Sequence, residues 1–461
     1  MTKTDNINFR FLGLLTVTAA LGGFLFGFDT AVISGTISFV KNQYAMDAMM
    51  EGWYVSSALA GCILGVAGMG KLSNALGRKK VMILSALLFI VSVTGCAFAS
   101  GVSILIISRL IGGIGIGISS VICPMYISEM APTQLRGKLV TYYQLAITIG
   151  ILVAYFSNAL IQTEAFAKDS AGWLAQIFTL EPWRGMFAVG IIPALVFVLM
   201  AFFIPESPRW LALNNKTAEA GRILTSIAGS NYAKRELSDI QNAISQSEKS
   251  RLADLFSGQL KKPMIIGILL AALSQFSGIN AIIYYGPSIL EKAGFQLGDA
   301  LGGQVTIGIV NMLFTVVAIY YIDRVGRRPL LQWGIGGAIF SLLLAAVLFA
   351  TESTNAWLIL FPIVLFIACF AFSFGPVTWV VVSEIFPTRI RGEAVAISTM
   401  SLWLANWVVG QFFPVLLNSS GASFTFLVFA LFSAYALYIA WKKIPETKGK
   451  SLEEIEKFWS E

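Results

Sequence analysis

Two charged residues stand inside long apolar runs. Asp29 lies in Leu25-Phe26-Gly27-Phe28-Asp29-Thr30, and Arg109 just precedes Ile111-Gly112-Gly113. A charge at membrane depth is costly, so each needs a partner or water. Each can neutralise the other. A carboxylate whose proton affinity depends on a movable arginine can load and release a proton as the protein changes shape. The plain alternative is a static ion pair. A second group of polar residues interrupts another apolar run, Ser274-Gln275-Phe276-Ser277-Gly278-Ile279-Asn280-Ala281-Ile282-Ile283-Tyr284-Tyr285-Gly286-Pro287. Gln144, Asn311, Trp379, Trp403 and Asn406 also sit within apolar runs. Amides donate and accept hydrogen bonds, which suits a neutral polyhydroxylated ligand. A tryptophan offers an apolar face to the C–H side of a sugar ring, plus an N–H. The plain alternative is that each amide joins two helices.

Other chemistries are excluded or disfavoured. The chain has no histidine, which removes imidazole catalysis and histidine metal ligation. Cys62, Cys96, Cys123 and Cys369 are isolated, with no metal or redox spacing. Gly112, Gly113, Gly115 and Gly117 loosely resemble a dinucleotide loop. No strand precedes them, and Gly113 with Gly117 fits a helix-contact pattern instead. No acid–base dyad or metal cluster faces a plausible site. The chain is therefore not expected to be an enzyme or to need a cofactor.

The elements that must position these residues are membrane spans. Of 461 residues, 56% are hydrophobic and 12% charged, against about 25% charged in a soluble domain. The repeated apolar runs have the length of about 20 residues that a bilayer requires. Twelve are predicted, at 9–38, 52–73, 79–99, 102–125, 136–161, 184–204, 262–290, 303–322, 330–350, 356–382, 391–417 and 423–443. The run from Phe9 is too long for a signal-peptide core. The expected fold is an all-α membrane protein with two six-helix bundles (1–205 and 261–444), a cytoplasmic helical linker (206–260) and a cytoplasmic tail (445–461). Two to four short helices are expected in the linker. Ser451 and Glu454 make a capping box in the tail.

The halves repeat each other. Ser128-Glu-Met-Ala-Pro-Thr-Gln-Leu-Arg-Gly137 returns about 250 residues later as Ser383-Glu-Ile-Phe-Pro-Thr-Arg-Ile-Arg-Gly392. Leu76-Gly-Arg-Lys-Lys80 is echoed by Val325-Gly-Arg-Arg-Pro329, and Pro205-Glu-Ser207 by Pro445-Glu-Thr447. Duplicated bundles are the architecture of many transporters, and a broken span facing its counterpart points to a midplane binding site. The repeats supply Arg78, Glu129, Arg136 and Glu206, matched by Arg327, Glu384, Arg391 and Glu446. Salt bridges among them between the halves would latch an outward-open state. The plain alternative is solvated loop charge.

The net charge of +7 is no nucleic-acid signal. Arg78, Lys79, Lys80, Arg136, Lys138, Arg324, Arg327, Arg328, Arg389, Arg391, Lys442 and Lys443 flank one set of span ends. Only scattered positives such as Lys41, Lys168 and Lys292 flank the other. The positive-inside rule makes the first set, with both termini, cytoplasmic. Contact of these bases with anionic lipid is expected; no obligatory protein partner is implied.

These motifs resemble the sugar porter family of the major facilitator superfamily over the whole chain. The resemblance rests on Pro205-Glu206-Ser207-Pro208-Arg209-Trp210-Leu211, Pro445-Glu446-Thr447-Lys448-Gly449, and Arg136-Gly137-Lys138 followed by Gln144. It is strongest towards bacterial xylose–proton symporters and animal facilitative glucose transporters. It implies that Gln144, Gln275, Asn280, Asn311 and Trp379 bind a monosaccharide while Phe26, Tyr284 and Trp403 close around it. It also implies that Asp29 occupies the place of the acid in proton-coupled members, with Arg109 as its partner. Ser274 stands where the family usually has a glutamine, and Leu402 where it often has an amide. Two hydroxyl contacts would change, and with them the preferred sugar. Asn74 and Ala75 replace the usual acidic–basic pair that Asp323 and Arg324 keep. The expected function is import of a pentose or hexose by proton symport through alternating access. The alternatives are a proton-independent uniporter or a non-transporting sugar sensor. Short loops point to a bacterial inner membrane.

Overall fold

The computed structural model describes residues 7–162, 176–245, 256, 260–351, 355–386 and 390–448. Among the described residues, twelve helices are long and apolar enough to cross a membrane. They are Phe9–Tyr44, Ala48–Leu76, Arg78–Ala97, Val102–Met130, Thr133–Gln162, Pro182–Phe203, Lys261–Lys292, Leu297–Ile322, Arg327–Ala350, Trp357–Glu384, Gly392–Ser419 and Gly421–Lys442. Each corresponds to one predicted span, with shifted edges. At about 1.5 Å per residue, even the 20-residue third span covers the hydrocarbon thickness. A helix satisfies its own backbone, which is why apolar sequence folds this way in lipid.

Six spans precede the polar linker and six follow it. The linker forms helices Pro208–Leu213 and Thr217–Ser245, the latter kinked at Ala228 and Gly229. Leu237 and Ile240 pack against the core, as their spacing suggests. The Ile227 carbonyl accepts from the backbone N–H of Asn8, tying the linker to the start of the first span. The capping box at Ser451 and Lys168 lie outside the described residues.

Small residues set the packing. The second span lies backbone to backbone on the fourth, and a Cβ at Gly113 would overlap the Ala58 carbonyl. Gly117 meets Cys62 in the same way. The glycine run is thus a helix contact, not a nucleotide loop. First and fifth, third and fourth, and ninth and twelfth spans also pack tightly. Between the halves, the second span meets the eleventh, the fifth meets the eighth, and the first meets the seventh.

Among the described residues the sixth span is interrupted at Gly190, between Pro182–Val189 and Ile191–Phe203, and two further spans are broken. The seventh divides into Lys261–Phe276 and Ile279–Lys292. The break falls at Gly278, whose φ of 88° is left-handed and open to glycine. The tenth passes through a π-helical turn, Phe370–Phe374, before Gly375–Glu384. This second break was not anticipated, although Phe374-Gly375-Pro376 carries its signal.

Gly113→Val should cost the ~1–3 kcal/mol of an overpacked core, or more. Gly68→Val, where nothing lies within 4 Å, should cost almost nothing. Thermal melts of the two variants in detergent test the difference.

Candidate substrate and proton site

The tight first-span and fourth-span packing brings Asp29 and Arg109 together. Arg109 Nη1 donates to Asp29 Oδ2 at 3.2 Å and to the Asp29 backbone carbonyl at 3.3 Å. Asp29 is 3% exposed and Arg109 2% exposed. The guanidinium also lies over the Phe187 ring, 5.9 Å from its centroid. The ion pair has one contact where a fork could make two. Arg109 Nε is buried without a hydrogen-bond partner. The pair is enclosed but incompletely satisfied, a geometry with room to rearrange.

Phe26 is one turn before Asp29 and therefore on the same helix face. Its ring meets Trp403 of the eleventh span, centroids 5.5 Å apart. The first span thus carries the charged pair and an aromatic contact between the halves on one rigid rod.

The broken seventh span organises the amides. Asn280 Nδ2 donates to Gln275 Oε1 at 2.5 Å across the break. Gln275 Nε2 donates to Ser274 Oγ at 3.2 Å, and Ser274 donates in turn to the Ala271 carbonyl. Ser274 therefore orients the glutamine beside it. Asn406 Nδ2 donates to the Tyr284 hydroxyl at 3.0 Å. Gln144 is half-buried on the fifth span and Asn311 buried on the eighth, and these spans pack together. Trp379, 37% exposed, sits on the last helix of the tenth span, which packs on the seventh and eighth. The direct contacts are Gln275–Asn280, Phe26–Trp403 and Asp29–Arg109. Gln144, Asn311 and Trp379 share only the neighbourhood of these spans.

The duplicated charges form the same local clusters in both halves. Arg78 grips Glu129 with two hydrogen bonds of 2.9 Å, and Ser207 Oγ donates to the same carboxylate. Arg327 holds Glu384 at 3.2 and 3.0 Å, joined by Thr447 Oγ1 at 2.5 Å. Glu206 accepts from the backbone N–H groups of Arg78 and Lys79, and Glu446 from those of Arg327 and Arg328. Each carboxylate caps the N-terminus of a span, where unpaired N–H groups favour an anion. In this structure these charges pair within each half. Arg136 reaches Glu236 of the linker at 3.9 Å. The side chain of Arg391 lies outside the described residues. Burial raises the proton affinity of Glu446, but its backbone donors, Lys448 first, outweigh burial and hold the carboxyl below its usual 4.5.

The halves join at the end remote from the termini. Ser38 Oγ donates to Glu291 at 3.0 Å, Ser56 Oγ to Gln411 at 2.7 Å, and Gln411 Nε2 to the Met49 carbonyl at 3.1 Å. Tyr155 donates to the Ile283 carbonyl at 3.0 Å. Above this seam a cavity of about 390 Å³ is lined by Lys41, Glu51, Glu291 and Lys292 among others. Sequence reasoning missed this seam. Gln411, an amide in an apolar run, was one polar signal of it. Tyr155 carries none.

A family model described as "Sugar (and other) transporter" matches residues 15–459. The chain belongs to this sugar-transporter family. It is a multi-pass membrane transporter and not an enzyme. The sugar transporter is 42% identical to the arabinose-proton symporter of Bacillus subtilis (strain 168), over 99% of this chain and 97% of that protein. It is 39% identical to the glucose transporter GlcP of Staphylococcus epidermidis, over 96% of each. Its structure matches a partially occluded inward open conformation of the xylose transporter XylE from E. coli. The TM-score is 0.83 at 34% identity, with 96% of this chain and 100% of that chain covered.

The depressed Glu446 proton affinity stabilises the fold above the unfolded value of 4.5. That stability is lost as pH falls through the lower folded value. Glu446→Gln should therefore destabilise the transporter at pH 7 and much less at pH 3, in thermal melts at both pH values.

Proposed function

We propose that this transporter imports a monosaccharide with a proton, using Asp29 and Arg109 for coupling and the seventh-span amides for sugar binding. The observation that carries this reading is the enclosed, singly bonded Asp29–Arg109 pair, one helical turn from the Phe26–Trp403 contact. Protonating Asp29 would leave Arg109 buried without its counter-ion. Breaking a buried pair in this way typically costs about 3–5 kcal/mol. The neutral acid therefore favours a conformation in which Arg109 is solvated or otherwise paired. Movement of the first span then repositions Phe26 at the contact between the halves. Arabinose, glucose and xylose relatives frame the substrate as a pentose or hexose.

Gln275 and Asn280 present paired amide groups at the span break, where sugar hydroxyls replace the bond between them. Gln144, Asn311 and Trp379 complete the pocket, and Tyr284 with Trp403 and Phe26 closes it. Residues 1–205 and 261–444 are the rocking bodies, 206–260 their linker and 445–461 the tail. The basic span ends face the cytoplasm of a bacterial cell, with both termini, and touch anionic lipid there. On this orientation the structure is closed to the outside. The charge clusters Arg78–Glu129–Glu206 and Arg327–Glu384–Glu446, with Arg136 and Arg391, then lie on the surfaces that meet when the cytoplasmic side closes.

A proton crossing a 100 mV potential supplies about 2.3 kcal/mol, enough for roughly 50-fold sugar accumulation. Asp29→Asn should reduce accumulation in energised proteoliposomes to equilibrium while retaining labelled-sugar exchange. Loss of exchange as well, in folded protein, would count against coupling, as would undiminished accumulation. Asn280→Ala should weaken sugar binding by about tenfold, the value of one buried hydrogen bond to a polar ligand. Calorimetric titration with each pentose and hexose reads this, and unchanged affinity would remove Asn280 from the site.

A further inference from the structure

Proline lacks the N–H that would bond the carbonyl four residues earlier in a helix. Pro287, inside the outer helix of the seventh span, therefore frees the carbonyl of Ile283. Pro414, inside the eleventh span, frees that of Gly410. Both are buried in hydrocarbon-facing protein, where an unpaired carbonyl is unfavourable. The structure provides a tyrosine for each. Tyr155 donates its hydroxyl to Ile283 O at 3.0 Å, and Tyr285 donates to Gly410 O at 2.7 Å.

The placement of the two tyrosines is not equivalent. Tyr155 belongs to the fifth span, in the first half; Ile283 belongs to the second half. Its bond must lengthen or break when the halves part. Tyr285 is two residues beyond Ile283 and fastens the same outer helix to the eleventh span. The eleventh span carries the closure onward, through Gln411 to Ser56 and Met49 of the first half. Gln304 Nε2 also donates to Ile283 O at 3.1 Å from within the second half. The freed carbonyl thus keeps a partner when Tyr155 leaves, which limits the cost of opening.

We infer that the proline-freed carbonyls of Ile283 and Gly410, capped by the Tyr155 and Tyr285 hydroxyls, form the latch that holds the outer gate closed. Tyr155 is thereby a positioning residue that sets the balance between the outward-open and outward-closed states. The latch presupposes the alternating access proposed above, but its test needs neither sugar nor proton gradient, so the two stand or fall separately.

Leu59 is 2% exposed and packs under Gly410 at the closed seam. A Leu59→Cys variant reports gate opening through its rate of reaction with a membrane-impermeant maleimide, measured above the background of the native cysteines. Adding Tyr155→Phe should raise that rate about two- to tenfold, the population shift expected from one hydrogen bond. Pro287→Ala restores an N–H for Ile283 within the helix. In that background Tyr155→Phe should leave the rate unchanged. No rise in the native background, or an equal rise in both, would overturn the latch. Should Pro287→Ala fail to fold, Gln304→Leu takes away the partner that Ile283 O keeps when Tyr155 leaves, and should lower the rate with Tyr155 in place; an unchanged or raised rate would overturn the latch.

Discussion

Everything in this molecule answers to the cost of a polar group without a partner in hydrocarbon. That cost makes the chain helical throughout its spans. It draws Arg109 onto Asp29 across the first and fourth spans. It also turns every interruption of a span into a place that must be serviced. The break at Gly278 is bridged by Gln275 and Asn280, and the proline in the following helix by Tyr155 and Gln304. A transporter needs such places, because a perfectly satisfied helix has nothing left to offer a substrate.

The two ends of the molecule handle charge in opposite ways. At the ends that bear the termini, carboxylates cap helix starts and arginines pair within their own half, in duplicate. Those bonds keep each half rigid and leave the halves free of one another. At the other end, neutral hydroxyls, amides and carbonyls cross from half to half. These are single hydrogen bonds, neutral but for Ser38 to Glu291, and each neutral one contributes only about 1 kcal/mol, so the seam can open at small cost. The charged pair that is buried, Asp29 with Arg109, lies between the first and fourth spans of one half.

Much of this was legible in the sequence. The twelve spans follow from apolar length, the duplication from Ser128–Gly137 and Ser383–Gly392, and the seventh-span break from its glycines and amides. Asp29 and Arg109 were found because a charge in an apolar run has few explanations. The partners of the duplicated charges were not legible. Arg78 and Glu129 lie on different spans, and only packing decides whether an arginine turns to its own half or across. The tenth-span π turn was missed because Phe370–Phe374 are apolar or small and the Gly375-Pro376 signal lies just beyond them. Tyr155 was hidden because a tyrosine in an apolar run looks like core until a proline elsewhere is found to leave a carbonyl open.

The measurement closest to the central claim is the pH of a lightly buffered suspension of proteoliposomes as pentoses and hexoses are added one at a time. Coupling through Asp29 and Arg109 predicts that a transported sugar makes the outside medium more alkaline, and that the same sugar enters the vesicles. Entry of labelled sugar to equilibrium with no proton movement would contradict it and leave the buried pair a structural one.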